Sequence, residues 1–232
     1  MKKRMIEKGF SLVEMAIVLA IVALLLAGLL PTISGQIEQQ RRTETRKQLE
    51  EIRAALIGYA ASQATPSLPC PAKPTLVSGA AGAGVADCTI GPIRTGVLPW
   101  VTLGTSETDA WGRRFTYTVA KSATGDFATS FTLTSTGNLN VYSISTGSCI
   151  TNTGCLAGNI PAVIVSHGVN GAGAYTPQGT QLTVSTDLDE AANSNGLGNF
   201  VSHDQTPTFD DLVVWVSPNT LFNRMVAAGK LP

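Results

Sequence analysis

The chain has 232 residues, with 16 basic and 16 acidic side chains and a formal net charge of zero. This balance argues against nucleic acid as a main partner, because nucleic-acid-binding proteins carry a clustered basic excess. The length accommodates one globular head and an extended helical segment beside it.

The first element is an apolar stretch that follows a short basic segment. Residues 10–30 run for 21 positions with Glu14 as the one charged side chain. As an α-helix this stretch is about 31 Å long, which is about the thickness of a bilayer core. Lysines and an arginine precede it, at Lys2, Lys3, Arg4 and Lys8. The basic end is therefore expected to stay in the cytoplasm and the rest of the chain to be exported.

Two simple interpretations of this stretch leave something unexplained. A cleaved secretory signal has an apolar region of 7–15 residues and a small-residue cleavage site, whereas residues 10–30 are longer and end in no such site. A plain membrane anchor explains the length but not Glu14, because an acidic group at mid-bilayer depth costs roughly 2.5–3.5 kcal/mol on insertion scales.

The junction of the basic and apolar segments reads Gly9-Phe10-Ser11-Leu12-Val13-Glu14. It resembles the processing site of the type IV pilin and pseudopilin family, in which a short basic leader ends in glycine. Glu14 is the fifth residue counted from Phe10, and Pro31 is the twenty-second. The resemblance implies that a prepilin peptidase cuts between Gly9 and Phe10, methylates the new amino terminus of Phe10 and leaves the apolar helix in place.

The same residues predict a role for the buried acid. Cleavage would create an α-amino group on Phe10, and Glu14 lies four residues on, on the same helical face. In a bundle of such helices Glu14 can pair with the Phe10 amine of a neighbouring copy. Because either charge is costly when left alone in an apolar core, Glu14 is expected to set the register between subunits.

Residues 31–62 are predicted to continue the helix as an amphipathic segment. Pro31 and Gly35 weaken it locally, since proline removes a backbone hydrogen bond. A run of mixed charges follows, and within it an apolar stripe repeats at three- and four-residue spacing: Leu49, Ile52, Leu56 and Tyr59. We expect the stripe to contact the chain's own head and the helix to end near Ser62.

Thr65 to Pro99 is predicted to be loop, because it contains several prolines and the run Gly79-Ala80-Ala81-Gly82-Ala83-Gly84.

The four cysteines all lie on the exported side: Cys70, Cys88, Cys149 and Cys155. Disulfides are expected there, and pairing in sequence order closes the shortest loops, although three connectivities are open. A zinc site is disfavoured, since there is no C-x-x-C and the chain has two histidines.

The remainder is predicted to be a small antiparallel sheet with a closing helix. The turn Asp109-Ala110-Trp111-Gly112-Arg113 resembles the one before the first sheet strand of pseudopilins, with alanine where proline is common. Alternating or apolar runs predict strands at 115–119, 130–134, 141–145, 162–166 and 212–217. Ser217 as cap, Pro218 and Gly229 predict a final helix.

The fold class predicted is therefore α+β and pilin-like, with a long N-terminal helix packed on a small antiparallel sheet. Its divisions are a leader at residues 1–9, a transmembrane and assembly helix at 10–30, its amphipathic continuation at 31–62, and an exported head at 63–232.

No catalytic site and no cofactor are expected. A Ser166, His167, His203 and Asp204 set can be written down, but no G-x-S-x-G elbow accompanies it. Oxygen-rich loops offer candidate calcium ligands: Asp187, Asp189, Glu190, Asp204, Asn170, Asn193 and Asn195. Their spacing matches no calcium motif, so ordinary solvated loop carboxylates are the simpler interpretation.

The resemblance implies a structural, non-enzymatic subunit of a type IV pilus-like filament, and the long head favours a minor or specialised subunit. Two alternatives stay open, a type II secretion pseudopilin and a membrane-tethered periplasmic binding module that does not polymerise. The implied partners are other pilin or pseudopilin subunits, prepilin peptidase and an inner-membrane assembly platform with its ATPase. The implied location is the bacterial inner membrane with the head in the periplasm, then the pilus or pseudopilus.

Overall fold

The computed structural model describes residues 10–89, 94–122 and 125–232, and of residues 26–34 it describes the backbone alone. The helices are α1 (Leu12–Ser62), α2 (Trp100–Leu103), α3 (Leu188–Ala192) and α4 (Pro218–Ala227). The strands are β1 (Arg94–Val97), β2 (Thr116–Val119), β3 (Lys121–Ser122), β4 (Gly125–Asp126), β5 (Leu139–Tyr142), β6 (Cys155–Ile160), β7 (Ala162–Ser166), β8 (Asn199–Val201) and β9 (Leu212–Val216).

The long helix ends where the sequence predicts. Helix α1 is assigned as one element through Pro31 to Ser62. The chain divides into two compact units, Met1–Arg42 and Thr43–Pro232, and the last part of α1 belongs to the second. There Leu49, Ile52 and Leu56 are buried in the hydrophobic core, as predicted. Ala60 completes the buried stripe in place of Tyr59, which is half-buried.

The main sheet supplies the other side of this core. Its four strands have the order β1-β2-β7-β9, and every neighbouring pair is antiparallel. Strand β7 is central, with Ile164 opposite Tyr117 on one side and Val214 on the other. All five residues of β7 are buried, which is the pattern of a strand covered on both faces.

A second sheet has the order β6-β5-β8 and is mixed, because β5 runs antiparallel to β6 but parallel to β8. The strand predicted at 141–145 is present as β5, which begins two residues earlier and ends three residues earlier than predicted. The N-terminal helix followed by small, mostly antiparallel sheets confirms the predicted α+β, pilin-like fold class.

The strand predicted at 130–134 is wrong. One isolated bridge joins Ser130 to Asp126, and the following residues form a turn in which Thr132 N–H donates to Ser135 Oγ and Ser135 N–H donates to the Thr132 carbonyl. Local hydrogen bonds of this kind compete with strand pairing. The alternation of hydroxyl and apolar residues at 130–134 therefore does not produce a strand here. Phe131 is nevertheless buried and stacks on Phe127.

The predicted loop at 65–99 is more ordered than expected, because β1 lies at its end and Ala72 forms a bridge with Val97.

Two disulfides are present, Cys70–Cys88 and Cys149–Cys155, which is the connectivity with the shortest loops. The first encloses a sequence separation of 18, and on the chain-entropy model such a loop contributes about 3 kcal/mol.

Candidate functional site

The start of α1 is held by a reciprocal pair of hydrogen bonds. The Ser11 N–H donates to Glu14 Oε2 at 2.9 Å, and the Glu14 N–H donates to Ser11 Oγ at 3.2 Å. This is a capping box, which satisfies two backbone donors that a helix start leaves without partners. This role of Ser11 was not predicted, although the spacing Ser-x-x-Glu before an apolar run is the signal that indicates it.

The apolar part of α1 presents its side chains on all sides. Residues 10–25 are all exposed in the single chain, with Phe10 at 83% and Leu12 at 91%. A helix that is apolar all round is stable only when something other than water covers it. Among the described residues, no helical stretch is long and apolar enough to cross a membrane.

Two of the predicted processing and assembly residues fall outside this description. Gly9, with the rest of the leader, lies outside the described residues, and so does the side chain of Pro31. Phe10 and Glu14 are described, and Glu14 is exposed four residues after Phe10. One of its oxygens accepts the Ser11 N–H, and a carboxylate has capacity for further donors.

In the head, the predicted turn before β2 is built around Asp109. Its Oδ1 accepts the N–H groups of Trp111 and Arg113, and its Oδ2 accepts the Ser166 hydroxyl at 2.7 Å. Burial raises the pKa of Asp109 above its ordinary value, against the effect of these hydrogen bonds. Because Ser166 donates to Asp109, it makes no nucleophile pair with a histidine, and the Ser-His-Asp set has no geometric support.

The loop acids considered as calcium ligands do not form one group. Asp187 caps α3 and accepts the N–H groups of Asp189 and Glu190. Asp189 accepts the Ser145 N–H and lies 3.4 Å from His203 Nε2. These two carboxylates have the structural roles expected of ordinary loop acids.

Glu190 is different, and the interpretation of it as a solvated loop carboxylate is wrong. It is 1% exposed and meets Asp210 and Asp211, with one oxygen of each within 4.8 Å of the others. Glu190, Asp210 and Asp211 together form the acidic cluster. Asp210 and Asp211 were not predicted as candidate ligands, because nothing in the chain order indicates that these two residues meet Glu190 in the folded head.

The acidic cluster is surrounded by amide donors. Asn170 Nδ2 donates to Glu190 at 2.7 Å and its backbone N–H donates to Asp210, while Asn193 Nδ2 donates to Asp211 at 2.8 Å. Burial, followed by the other carboxylates nearby, raises the pKa of Asp211 well above its ordinary value, against the Asn193 bond. The pKa of Asp210 is raised as well, with burial again the largest cause.

His167 lies beside the cluster and is fully buried. Its Nε2 is 2.8 Å from the Thr116 hydroxyl, and its Nδ1 is 3.8 Å from Asp211 Oδ1. Burial, followed by the charge of Arg113, lowers the pKa of His167 to about 4, so the imidazole is neutral at pH 7.

Comparison with known proteins adds one finding. Residues 4–30 match the family model described as the prokaryotic N-terminal methylation motif. No curated protein and no solved structure matches the chain. The matched residues include the second part of the basic leader, the Gly9–Phe10 junction, the Ser11–Glu14 capping box and the apolar part of the helix up to residue 30. The chain therefore carries, at residues 4–30, the N-terminal cleavage and methylation segment that is the signature of the type IV pilin and pseudopilin family.

Proposed function

We propose that the chain is a structural subunit, minor or specialised, of a type IV pilus-like filament. Prepilin peptidase cuts the precursor between Gly9 and Phe10 and methylates the amine of Phe10. The mature subunit resides in the bacterial inner membrane, with residues 10–30 in the bilayer and the head in the periplasm. The assembly platform then incorporates it into the filament. The N-terminal methylation motif at residues 4–30 carries this proposal.

The exposed apolar surface of residues 10–25 supports it physically. No face of this part of the helix is covered by the chain itself. Lipid covers such a surface before assembly and copies of the same helix cover it afterwards, so transfer from membrane to filament exchanges one apolar environment for another. A structural role of this kind needs no catalytic residues.

Glu14 supplies the specificity that apolar packing lacks. Its carboxylate is tied to Ser11 within the precursor, and it has remaining acceptor capacity for the amine that cleavage creates on a neighbouring Phe10. In a helix bundle that ion pair forms at one axial offset. Subunits in any other register leave two charges without partners in an apolar environment, which is strongly unfavourable.

The processing step is tested by Gly9→Leu in the full-length chain. The peptidase requires the small residue before the cut, so the variant is expected to stay uncut, and mass spectrometry of membranes should find the leader still attached. Gly35→Leu is the matched control, because among the described residues nothing beyond the adjoining backbone of its own helix lies within 4 Å of an added Cβ there. Normal cleavage of Gly9→Leu would contradict the peptidase assignment.

The assembly step is tested by Glu14→Ala and Glu14→Gln. Both are expected to be processed normally, and both should lower the recovery of this chain in sheared filaments at least tenfold. Glutamine retains a carbonyl acceptor for the Ser11 N–H but has no charge, so it separates helix capping from ion pairing. Glu44→Ala, an exposed acid later in α1, is the control and should assemble normally. Normal assembly of Glu14→Gln would show that the charge is not needed.

The same two variants separate the alternatives. A tethered binding module that never polymerises should be indifferent to Glu14→Ala. A type II secretion pseudopilin should respond to it, but with loss of secretion of exported proteins in place of loss of surface pili. Deletion of the chain, scored for motility and for secretion, therefore distinguishes the two filament roles.

A further inference from the structure

We propose that the outer edge of β9 binds an extended segment of a different polypeptide, which adds to the four-stranded main sheet as a further strand. The inference concerns the head alone. It goes beyond the proposed filament role, because it requires neither cleavage before Phe10 nor pairing through Glu14.

Strand β9 is the last strand of the main sheet, and β7 is its one neighbour there. Among the described residues, no backbone hydrogen bond joins β9 to any other segment. In a strand with a single neighbour, every second residue points its N–H and C=O groups away from that neighbour. These groups of β9 are therefore available to a further strand.

The opposite edge of the same sheet is protected. There Val97 of β1 exchanges two backbone hydrogen bonds with Ala72, and Arg94 at the start of β1 pairs with Asp126. Proteins usually block an exposed edge in such ways, or with proline, bulges and charges, because an unprotected edge pairs with other chains. Strand β9 has five apolar residues, no charge and no proline, and its register with β7 is continuous. This contrast indicates that the edge of β9 is left open for a partner.

A cleft of about 750 Å³ lies along this edge. Leu212, Val213 and Val214 all line it, although successive residues of a strand point to opposite faces of the sheet. Three consecutive residues line one cleft only where the cleft follows the side of the strand, and β7 occupies the other side. The lining also includes Leu49 of α1 and the exposed Leu156 of β6. The cleft therefore offers apolar side chains beside the free backbone groups, as strand addition requires.

Two charged side chains of the cleft select the partner. Arg46 on α1 and Asp204 in the loop after β8 line it and are exposed, and neither has an ion pair within the part of the chain that the structure describes. Glu50 and His203, which also line it, are already paired. The cleft therefore suits a segment with apolar residues at alternate positions, an acid towards one end and a base towards the other.

These charges favour a different polypeptide over a second copy of the chain. The edge strands β6, β8 and β9 of a second copy contain no charged residue. Two aspartates precede β9, but the next base after it is Arg224, at the far side of the capping residues of α4. The partner is therefore a segment of another chain, bound by backbone hydrogen bonds to β9 and by ion pairs with Arg46 and Asp204.

The experiment uses the full-length protein in detergent and two synthetic peptides as probes. Both peptides repeat Ala162–Ser166, the segment that pairs with β9 from its other side, and both have blocked ends. One begins with glutamate and ends with lysine, and the other has these two residues exchanged. Calorimetry should show that one peptide binds at one per chain and about fivefold or more tightly than the other, because a single charge order meets both Arg46 and Asp204.

The double variant Arg46→Asp, Asp204→Arg should reverse this preference between the two peptides. Lys47→Asp is the matched control, because Lys47 is exposed and adjacent to Arg46 but does not line the cleft, and it should keep the native preference. The tighter peptide should slow hydrogen exchange about tenfold or more in β9 and leave β1 unchanged. The same peptide with proline at the positions of Ile164 and Val165 should have neither effect, because proline has no N–H to donate.

Absence of binding by both peptides, equal binding of the proline peptide, or unchanged hydrogen exchange in β9 would overturn the site. An unchanged preference in the double variant would overturn the selection by Arg46 and Asp204. Slower exchange in β9 that grows with the concentration of the protein alone would overturn the choice of partner and identify a second copy. None of these readouts involves cleavage or filament assembly, so failure of the site is distinguishable from failure of the proposed function.

Discussion

Asp109 is one carboxylate that organises the entry to the main sheet. It accepts two backbone N–H groups from its own turn and the hydroxyl of Ser166 at the end of β7. Its charge is not what the turn requires, because burial makes the ionised form costly and raises the pKa. An asparagine offers the same carbonyl to the backbone donors and an amide to Ser166.

We therefore expect Asp109→Asn to fold and to change the pH dependence of stability. The unfolded aspartate titrates near 3.8, and the folded one titrates at a higher pH. The folded state binds the proton more tightly, so the native free energy of unfolding loses a contribution as pH rises from 3.8 through the raised pKa. The variant lacks this loss, and its stability relative to native should be greater at pH 7 than at pH 3.

Urea denaturation at the two pH values measures this difference. A difference between variant and native that stays constant with pH would contradict the prediction. Asp109→Ala serves as the control, because it leaves three donors without their acceptor: it should be less stable than Asp109→Asn at both pH values, by about 1–3 kcal/mol for each donor that stays buried.

At the level of the elements, the sequence predicted the helices and strands for which residue composition, spacing and flanking residues all indicate the same structure. Strand β7 is a run of apolar and β-branched residues that ends in serine, and it was predicted with its correct bounds. Helix α4 begins at Pro218 with Ser217 at the N-cap position, as predicted, although the Ser217 side chain makes no capping hydrogen bond within the described part of the chain. The end of α1 was also predicted, because the apolar stripe stops and a proline-rich segment follows.

The elements that were missed depend on contacts that chain order does not encode. Strand β6 contains Gly158 and Asn159, both unfavourable in strands, and its pairing with β5 is irregular. Strand β8 has three residues and exists because it joins β5 in parallel. The acidic cluster has the same cause, since Glu190 lies 20 positions before Asp210 in the chain and meets it only in the folded head. The capping box, by contrast, was readable from four consecutive residues.

At the scale of the whole molecule, the core belongs to one of the two units. Every member of the hydrophobic core cluster lies between Leu49 and Leu231, within the unit Thr43–Pro232. Of the unit Met1–Arg42, none of the side chains that the structure describes belongs to that cluster. Folding of the unit Thr43–Pro232 is therefore expected to depend mainly on side chains of that unit.

We expect a fragment of residues 43–232, exported to an oxidising compartment so that both disulfides form, to fold alone. Its Tm should lie within about 3 °C of that of the full-length protein, since it keeps the whole core. A fragment of residues 63–232 is the control, because it lacks Leu49, Ile52, Leu56 and Ala60. Losing each large buried side chain costs about 2–5 kcal/mol, and the sum reaches the 5–15 kcal/mol that typically stabilises a domain, so this fragment should not fold. Calorimetry decides the matter: cooperative melting of the shorter fragment, or none in the longer, would show that the division at residue 42 is not a folding boundary.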